Sequence, residues 1–198
     1  MQDVFKAGKL AQMGLLSDDD RAKASDLVAQ VESSGIETVR VLFVDQHGIL
    51  RGKTIVASAF ASVFGAGIAV PSTLLLKDTS HRTAFDVWSN SGENDRGPMK
   101  GAGDVLLVPR PETFRVLPWS PHSAWIFCDA VYRDGQPIPF GARQVLRNAT
   151  NRLAEQGLAA VIGLEVEFHI FERTDGATAH ETSGMPGAPV QTRNLAQG

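Results

Sequence analysis

Glu165 and Glu167 stand two residues apart inside the apolar run 160–171. A β-strand alternates its side chains, so a strand here is predicted to put Glu165, Glu167 and His169 on one face. Leu164, Val166 and Phe168 would lie on the other. Two hard oxygen donors held side by side suit a divalent cation such as Mg2+ or Mn2+. Charges alternating with apolar residues are also the ordinary pattern of a solvated strand face. Two arguments favour the cation: glutamate is depleted in strands, and adjacent like charges repel unless a counter-ion relieves them. His169 is either a further donor on that face or a polar neighbour.

Other residues of reactive type have simpler readings. Gly48-Ile49-Leu50-Arg51-Gly52-Lys53-Thr54 has three residues between its glycines where a phosphate loop needs four, and its Gly-Lys-Thr falls in a predicted strand. The expected reading is a hairpin turn at Gly48 with Arg51 and Lys53 on one face of the outgoing strand. Gly101-Ala102-Gly103 precedes a strand, which does not support a dinucleotide fingerprint. The histidines 47, 81, 122, 169 and 180 show no paired metal-ligand spacing on a helix, and Cys128 is the single cysteine, so a structural zinc site is not expected. Cys128 follows Trp125-Ile126-Phe127 and reads as a small core residue.

The elements that must position these groups follow from periodicity and punctuation. Ser17 is a helix cap, Asp18, Asp19 and Asp20 suit the positive helix end, and Gly35 is a stop. The stripe Leu27, Val28, Val31 is short, which predicts loose docking. Residues 36–44 and 49–56 read as strands around the turn 45–48, and 57–64 as a short helix closed by Gly65. Residues 78–103 lose all pattern and read as a long polar loop. Strands are expected over 104–108, 113–116 and 124–132, with a turn at Asp134-Gly135. Ala142, Val145, Leu146, Ala149 and Leu153 repeat at helical spacing, with Gly157 as the C-terminal cap. The tail 174–198 shows no periodicity and is expected to be an exposed loop.

The order of elements predicts an α+β fold: a helical extension over 1–35, a small domain over 36–132, and over 133–198 the helix and strand that open a second domain. At 198 residues and 43% hydrophobic content, the chain can build a sizeable core. A net charge of -3 with scattered Lys and Arg argues against a nucleic-acid partner. No apolar run is long enough to cross a membrane, no signal peptide is expected, and a lone cysteine fits a reducing compartment. A cytoplasmic location is expected.

Several short motifs in order give the chain a resemblance. Asp45-Gln46-His47-Gly48-Ile49-Leu50-Arg51-Gly52-Lys53, then Leu117-Pro118-Trp119, Cys128-Asp129, Arg143-Gln144-Val145-Leu146 and Gly163-Leu164-Glu165-Val166-Glu167-Phe168 are similar to the glutamine synthetase family over about 36–171. The Arg-Gly-Lys hairpin resembles the branch that includes γ-glutamylpolyamine synthetases. The resemblance implies a β-grasp domain over 36–132, followed by the start of a guanido-kinase-like catalytic domain. It implies that Glu165 and Glu167 each bind one of two Mg2+ or Mn2+ ions, with ATP and glutamate as substrates and ammonia or an amine as acceptor of the γ-glutamyl group. It also implies a ring-shaped homo-oligomer.

Phe85-Asp86-Val87-Trp88 stands where ammonia-using members carry Phe-Asp-Gly-Ser, which makes Asp86 the candidate ammonia or amine residue. His169 falls where the family usually has an aromatic residue, so the resemblance assigns it no ligand role. The remaining metal ligands, the ATP-binding segments and the substrate-clamping arginines would lie beyond Gly198. The chain by itself is therefore expected to be inactive. The contrasting expectation is a non-catalytic β-grasp interaction module or a degenerate regulatory homologue.

Overall fold

The computed structural model describes residues 5, 7–84, 87–88, 97–174 and 191–197. They divide between two compact units, Met1–Arg152 and Leu153–Gly198.

The first unit opens on α1 (Lys9–Gln12) and α2 (Asp18–Ser33). Ser17 and Asp20 form a reciprocal capping box: the Asp20 amide donates to Ser17 Oγ at 3.1 Å, and the Ser17 amide donates to Asp20 Oδ2 at 3.0 Å. The helix docks more firmly than its short stripe predicts. Ala24, Val28 and Val31 are all fully buried and join the main core. The small Ala24 extends the contact face by a turn that a stripe of large residues does not reveal.

β1 (Thr38–Val44) and β2 (Leu50–Val56) form the predicted hairpin. A 3-10 turn over Ala57–Ala59 leads into α3 (Phe60–Ala66). The helix runs through Gly65 and stops at Gly67, not at Gly65 as expected. Gly67 has φ +71, and a Cβ there would lie 2.8 Å from the Leu107 carbonyl oxygen, so the stop falls where only glycine fits. β3 (Ile68–Pro71) follows; its four residues are too few to show a period. Of the expected long loop, 78–84 form a closed turn, Gly97–Ala102 a 3-10 helix, and 85–86 and 89–96 lie outside the described residues.

β4 (Asp104–Pro109), β5 (Arg115–Leu117) and β6 (Ser120–Val131) complete the sheet. Its strand order is β2-β1-β6-β4-β3, with β5 also on β6. β6 is the spine: residues 123–127 pair in parallel with β1, and 128–131 pair antiparallel with β4. It starts earlier than predicted because Ser120 already pairs with Leu117. The fold is thus α+β, as expected. Val39, Val41, Phe43, Ala124, Ile126 and Cys128 form one cluster with α2 and α3, so the core sits on the helix-covered face of the sheet. α4 (Ala142–Glu155) forms as the helical spacing predicts and is closed at Gly157, where the Leu158 amide donates to the Leu153 carbonyl.

The second unit carries an antiparallel pair, β7 (His169–Arg173) and β8 (Thr192–Gln197). β8 corrects the reading of the tail as unstructured: Thr192–Gln197 alternates too weakly to be recognised as a strand without its partner. Residues 175–190 and 198 lie outside the described residues. No helix among the described residues is long and apolar enough to cross a membrane.

Candidate functional site

The two glutamates that open the chemical reading do not lie on a strand. Residues 158–168 belong to no helix or strand, and every one of them, Glu165 and Glu167 included, is exposed. The register explains this correction. The β7–β8 ladder runs from Arg173↔Thr192 to His169↔Gln197, so the residues before His169 have no described strand opposite them. Backbone amides and carbonyls without a ladder partner take water instead. The apolar alternation is nevertheless real. Leu164 is 90% exposed and Val161 101%, which leaves an unusually apolar segment facing solvent.

His169 opens β7, whereas the two glutamates precede the strand. The His169 ring stacks on Phe171, centroids 5.9 Å apart, across a register shift between Ile170 and Phe171. No group of three or more His, Cys, Asp or Glu capable of holding a metal exists among the described residues. By donor type Glu165 and Glu167 suit Mg2+ or Mn2+. By number they do not, since these ions take six or so oxygen ligands. The residues present therefore do not make a metal site on their own. Asp86 lies outside the described residues.

The most constrained charged cluster is one the sequence reading left without a role. Asp129 on β6 is 7% exposed and accepts from three guanidinium groups. Arg110 Nε reaches Oδ2 at 2.6 Å, Arg147 Nη2 reaches Oδ2 at 2.5 Å, and Arg143 Nε reaches Oδ1 at 2.9 Å. Arg143 and Arg147 are four apart on α4 and so share a face. Arg110 also donates to the Leu15 carbonyl and lies 3.8 Å from Asp20. One carboxylate thus ties β6, the end of β4, α4 and the start of α2 together.

Burial raises the Asp129 carboxyl. The Arg147 hydrogen bond, the Arg110 charge and the bonds from Arg143 and Arg110 outweigh it and hold the group below the usual carboxylate value. The adjoining cavity, lined by Phe43, Leu75, Cys128, Arg143 and Gln144 among others, has a volume of about 20 Å³, room for one water and not for a nucleotide. Burial also pushes the Cys128 thiol up, which keeps it protonated and fits the reading as a core residue. The cluster is built to hold elements in place. Its signal in sequence is an aspartate within an apolar strand, where charge is rarely found without a partner.

A second buried pair lies at the β1–β2 turn. Asp45 is 1% exposed and accepts Arg51 Nε at 2.6 Å and the His47 and Ile49 amides at 2.9 Å each. Burial raises its carboxyl, and the bonds from Arg51, Ile49 and His47 bring it below its usual value. Lys53, two residues beyond Arg51, is exposed and donates to the Ala69 carbonyl at 2.8 Å.

Comparison with known proteins gives this geometry its context. No protein-family model matches the chain. It is 29% identical over 195 residues to a γ-glutamylanilide synthase from Acinetobacter sp., an alignment covering 96% of this chain and 39% of that protein. It is 34% identical over 178 residues to a glutamine synthetase from Halobacterium salinarum, covering 85% of this chain and 34% of that protein. Among solved structures, apo GmaS superposes with a TM-score of 0.52 at 26% identity, over 67% of this chain and 27% of the other. The chain spans little more than a third of the length of the curated relatives it matches.

Proposed function

We infer that this chain, a relative of the glutamine synthetase family across part of those proteins' length, forms part of an ATP-dependent carbon–nitrogen ligase. In this reading the γ-carboxylate of glutamate takes the γ-phosphoryl group of ATP, and ammonia or an amine then displaces phosphate to leave a γ-glutamyl amide. The observation that carries it is the alignment to a γ-glutamylanilide synthase over 96% of the chain. A cytoplasmic location fits the single buried cysteine.

The sheet supports a β-grasp reading of the first unit, because a parallel central pair, β1 and β6, is flanked by β2 on one side and by the antiparallel strands β4 and β3 on the other. Ring assembly belongs to the same proposal, as does Asp86 as the residue that meets the acceptor nitrogen.

Glu165 and Glu167 are proposed as two of the ligands of a divalent pair, completed by donors outside the described residues. Bound there, such ions would neutralise charge on a transferring phosphoryl group. The two carboxylates alone leave no step of the transfer to derive from this chain. The exposed apolar residues around them support the reading, since Leu164, Val166 and Phe168 are what a covered strand would carry.

The test is glutamate-dependent ADP release by the product of the whole gene with Mg2+ or Mn2+. Ammonium, aniline, ethanolamine and a polyamine are offered in turn, and the amide is identified by mass spectrometry. Release of ADP with one acceptor and appearance of the matching γ-glutamyl amide is the expected result. Absence of turnover with every acceptor would favour a non-catalytic role.

A further inference from the structure

The β1–β2 turn and the loop 77–83 are joined by two histidine contacts, one through a nitrogen that must accept and one through a nitrogen that must donate. Arg51 is fixed first: its side chain is 8% exposed, and its Nε is held by the buried Asp45 carboxylate. That anchoring aims Nη1 at His81 Nδ1, 3.3 Å away, and leaves Nη2 with no partner among the described residues. A guanidinium has donors only, so His81 Nδ1 must be the acceptor, and the imidazole in this contact is neutral with its proton on Nε2. From the hairpin side, His47 Nε2 lies 2.9 Å from the Lys77 carbonyl. A carbonyl can only accept, so this nitrogen carries a hydrogen in the neutral and the cationic ring alike.

The loop is itself a closed unit. Asp78 Oδ1 accepts the Ser80 and Arg82 amides at 2.8 and 2.9 Å, and the Asp78 amide donates to the Arg82 carbonyl at 2.8 Å. Lys77 bridges to Thr83 through backbone and side chain. His81 sits at its tip with φ +62, a left-handed conformation that costs a non-glycine residue free energy and is kept only where contacts hold it. His81 is exposed.

We propose that His81 is a pH-sensitive latch, closed on Arg51 when its ring is neutral and released when acidification protonates Nδ1. Protonation replaces the acceptor with a second N–H and sets imidazolium against guanidinium. The elements meeting here bring Asp45, His47 and Arg51 from the hairpin and Lys77, Asp78 and Arg82 from the loop. None of the carboxylates reverses the sign. Asp45 is already saturated by Arg51 and two amides, and Asp78 is held by its own turn with the His47 charge nearby. His47 keeps its carbonyl contact at acid pH, so one end of the loop stays tethered while the other opens.

The test is NMR on the full chain. The His81 ring should show the Nε2–H tautomer at pH 7.5. Protection of the Asp78 amide, and of the Ala84 amide that donates to the Leu76 carbonyl at 2.8 Å, corrected for intrinsic exchange, should fall about tenfold between pH 7.5 and 5.5, the scale of one lost hydrogen bond to a charged group. His81→Asn places an amide oxygen on the same Cγ, does not titrate and tolerates the left-handed backbone; its protection should be independent of pH over this range. His47→Phe should keep the wild-type pH response. An Nδ1–H tautomer, wild-type protection that ignores pH, or a pH response that survives in His81→Asn would each overturn the proposal.

Discussion

Arg110 Nε lies 2.6 Å from Oδ2 of Asp129, which pairs with Val108 in the β4–β6 ladder, and Arg110 follows directly on the last pair of that ladder, Pro109↔Cys128. The Arg110 amide meanwhile donates to the Phe127 carbonyl at 2.9 Å. The guanidinium therefore starts from a fixed backbone, and the carboxylate it reaches also binds Arg143 and Arg147 of α4. The junction of β4 with β6, a helix face and the entry to α2 depend on one acidic side chain.

Asp129→Asn should cost about 3 kcal/mol of stability, the scale of removing one partner from a largely buried ion cluster. The amide keeps the shape but leaves three guanidinium groups around a neutral side chain. Urea unfolding monitored by tryptophan fluorescence should show a lower midpoint with an unchanged slope.

Acid should unfold the protein through the same group. Asp129 is held below its ordinary value of 3.8, as is Asp45. A depressed acid contributes stability that is complete above its unfolded-state value and is lost as pH falls through the folded one. The share of the unfolding free energy that Asp129 and Asp45 supply should be level from neutral pH to about 5 and drop below about 4. In Asp129→Asn, part of that drop should disappear.

Gly52→Ala should be among the most damaging single-methyl changes. Gly52 has φ +156, and a Cβ there would stand 1.9 Å from the Val41 carbonyl oxygen, a backbone atom that cannot swing aside. The β1–β2 ladder must separate locally, at a cost of about 3 kcal/mol or more. A shift in thermal midpoint of only a degree or two would contradict the close approach.

Glu165→Gln and Glu167→Gln test the ligand proposal separately from the ligase proposal. Both side chains are exposed, so circular dichroism should be unchanged. In the whole gene product each should lower ADP release at limiting Mn2+ about tenfold, with saturation moved to higher metal. Turnover with an unaltered Mn2+ response in both variants would discard the ligand assignment and leave the ligase reading standing.

The N-terminal two-thirds of the fold was readable because its signals are local. Ser17 and Asp20, the β-branched run before Asp45 and the helical spacing of 142–153 each announce an element from neighbours in sequence. What escaped depends on distant partners. β3 and β8 are too short or too polar to show a period and exist because β4 and β7 offer ladders. Conversely, 160–168 has a strand's pattern and no strand partner among the described residues. The same division holds for charged residues. Glu165 and Glu167 stand out by spacing, whereas the Asp129 cluster draws on residues up to 19 positions away and is visible only as an aspartate in an unexpected place.

The parallel pairing of β1 with β6 has a consequence for how the protein is made. Thr38 meets Ser123, 85 residues later, hydroxyl to hydroxyl at 3.0 Å. A nascent chain leaving the ribosome can close the first hairpin at once, but its inner edge stays bare until the spine strand is translated. During that interval Val39, Val41 and Phe43 lack most of their eventual cover, and the open edge is a template for the wrong neighbour. Truncations ending before the spine should therefore accumulate in inclusion bodies, and chaperone dependence should ease abruptly once it has emerged.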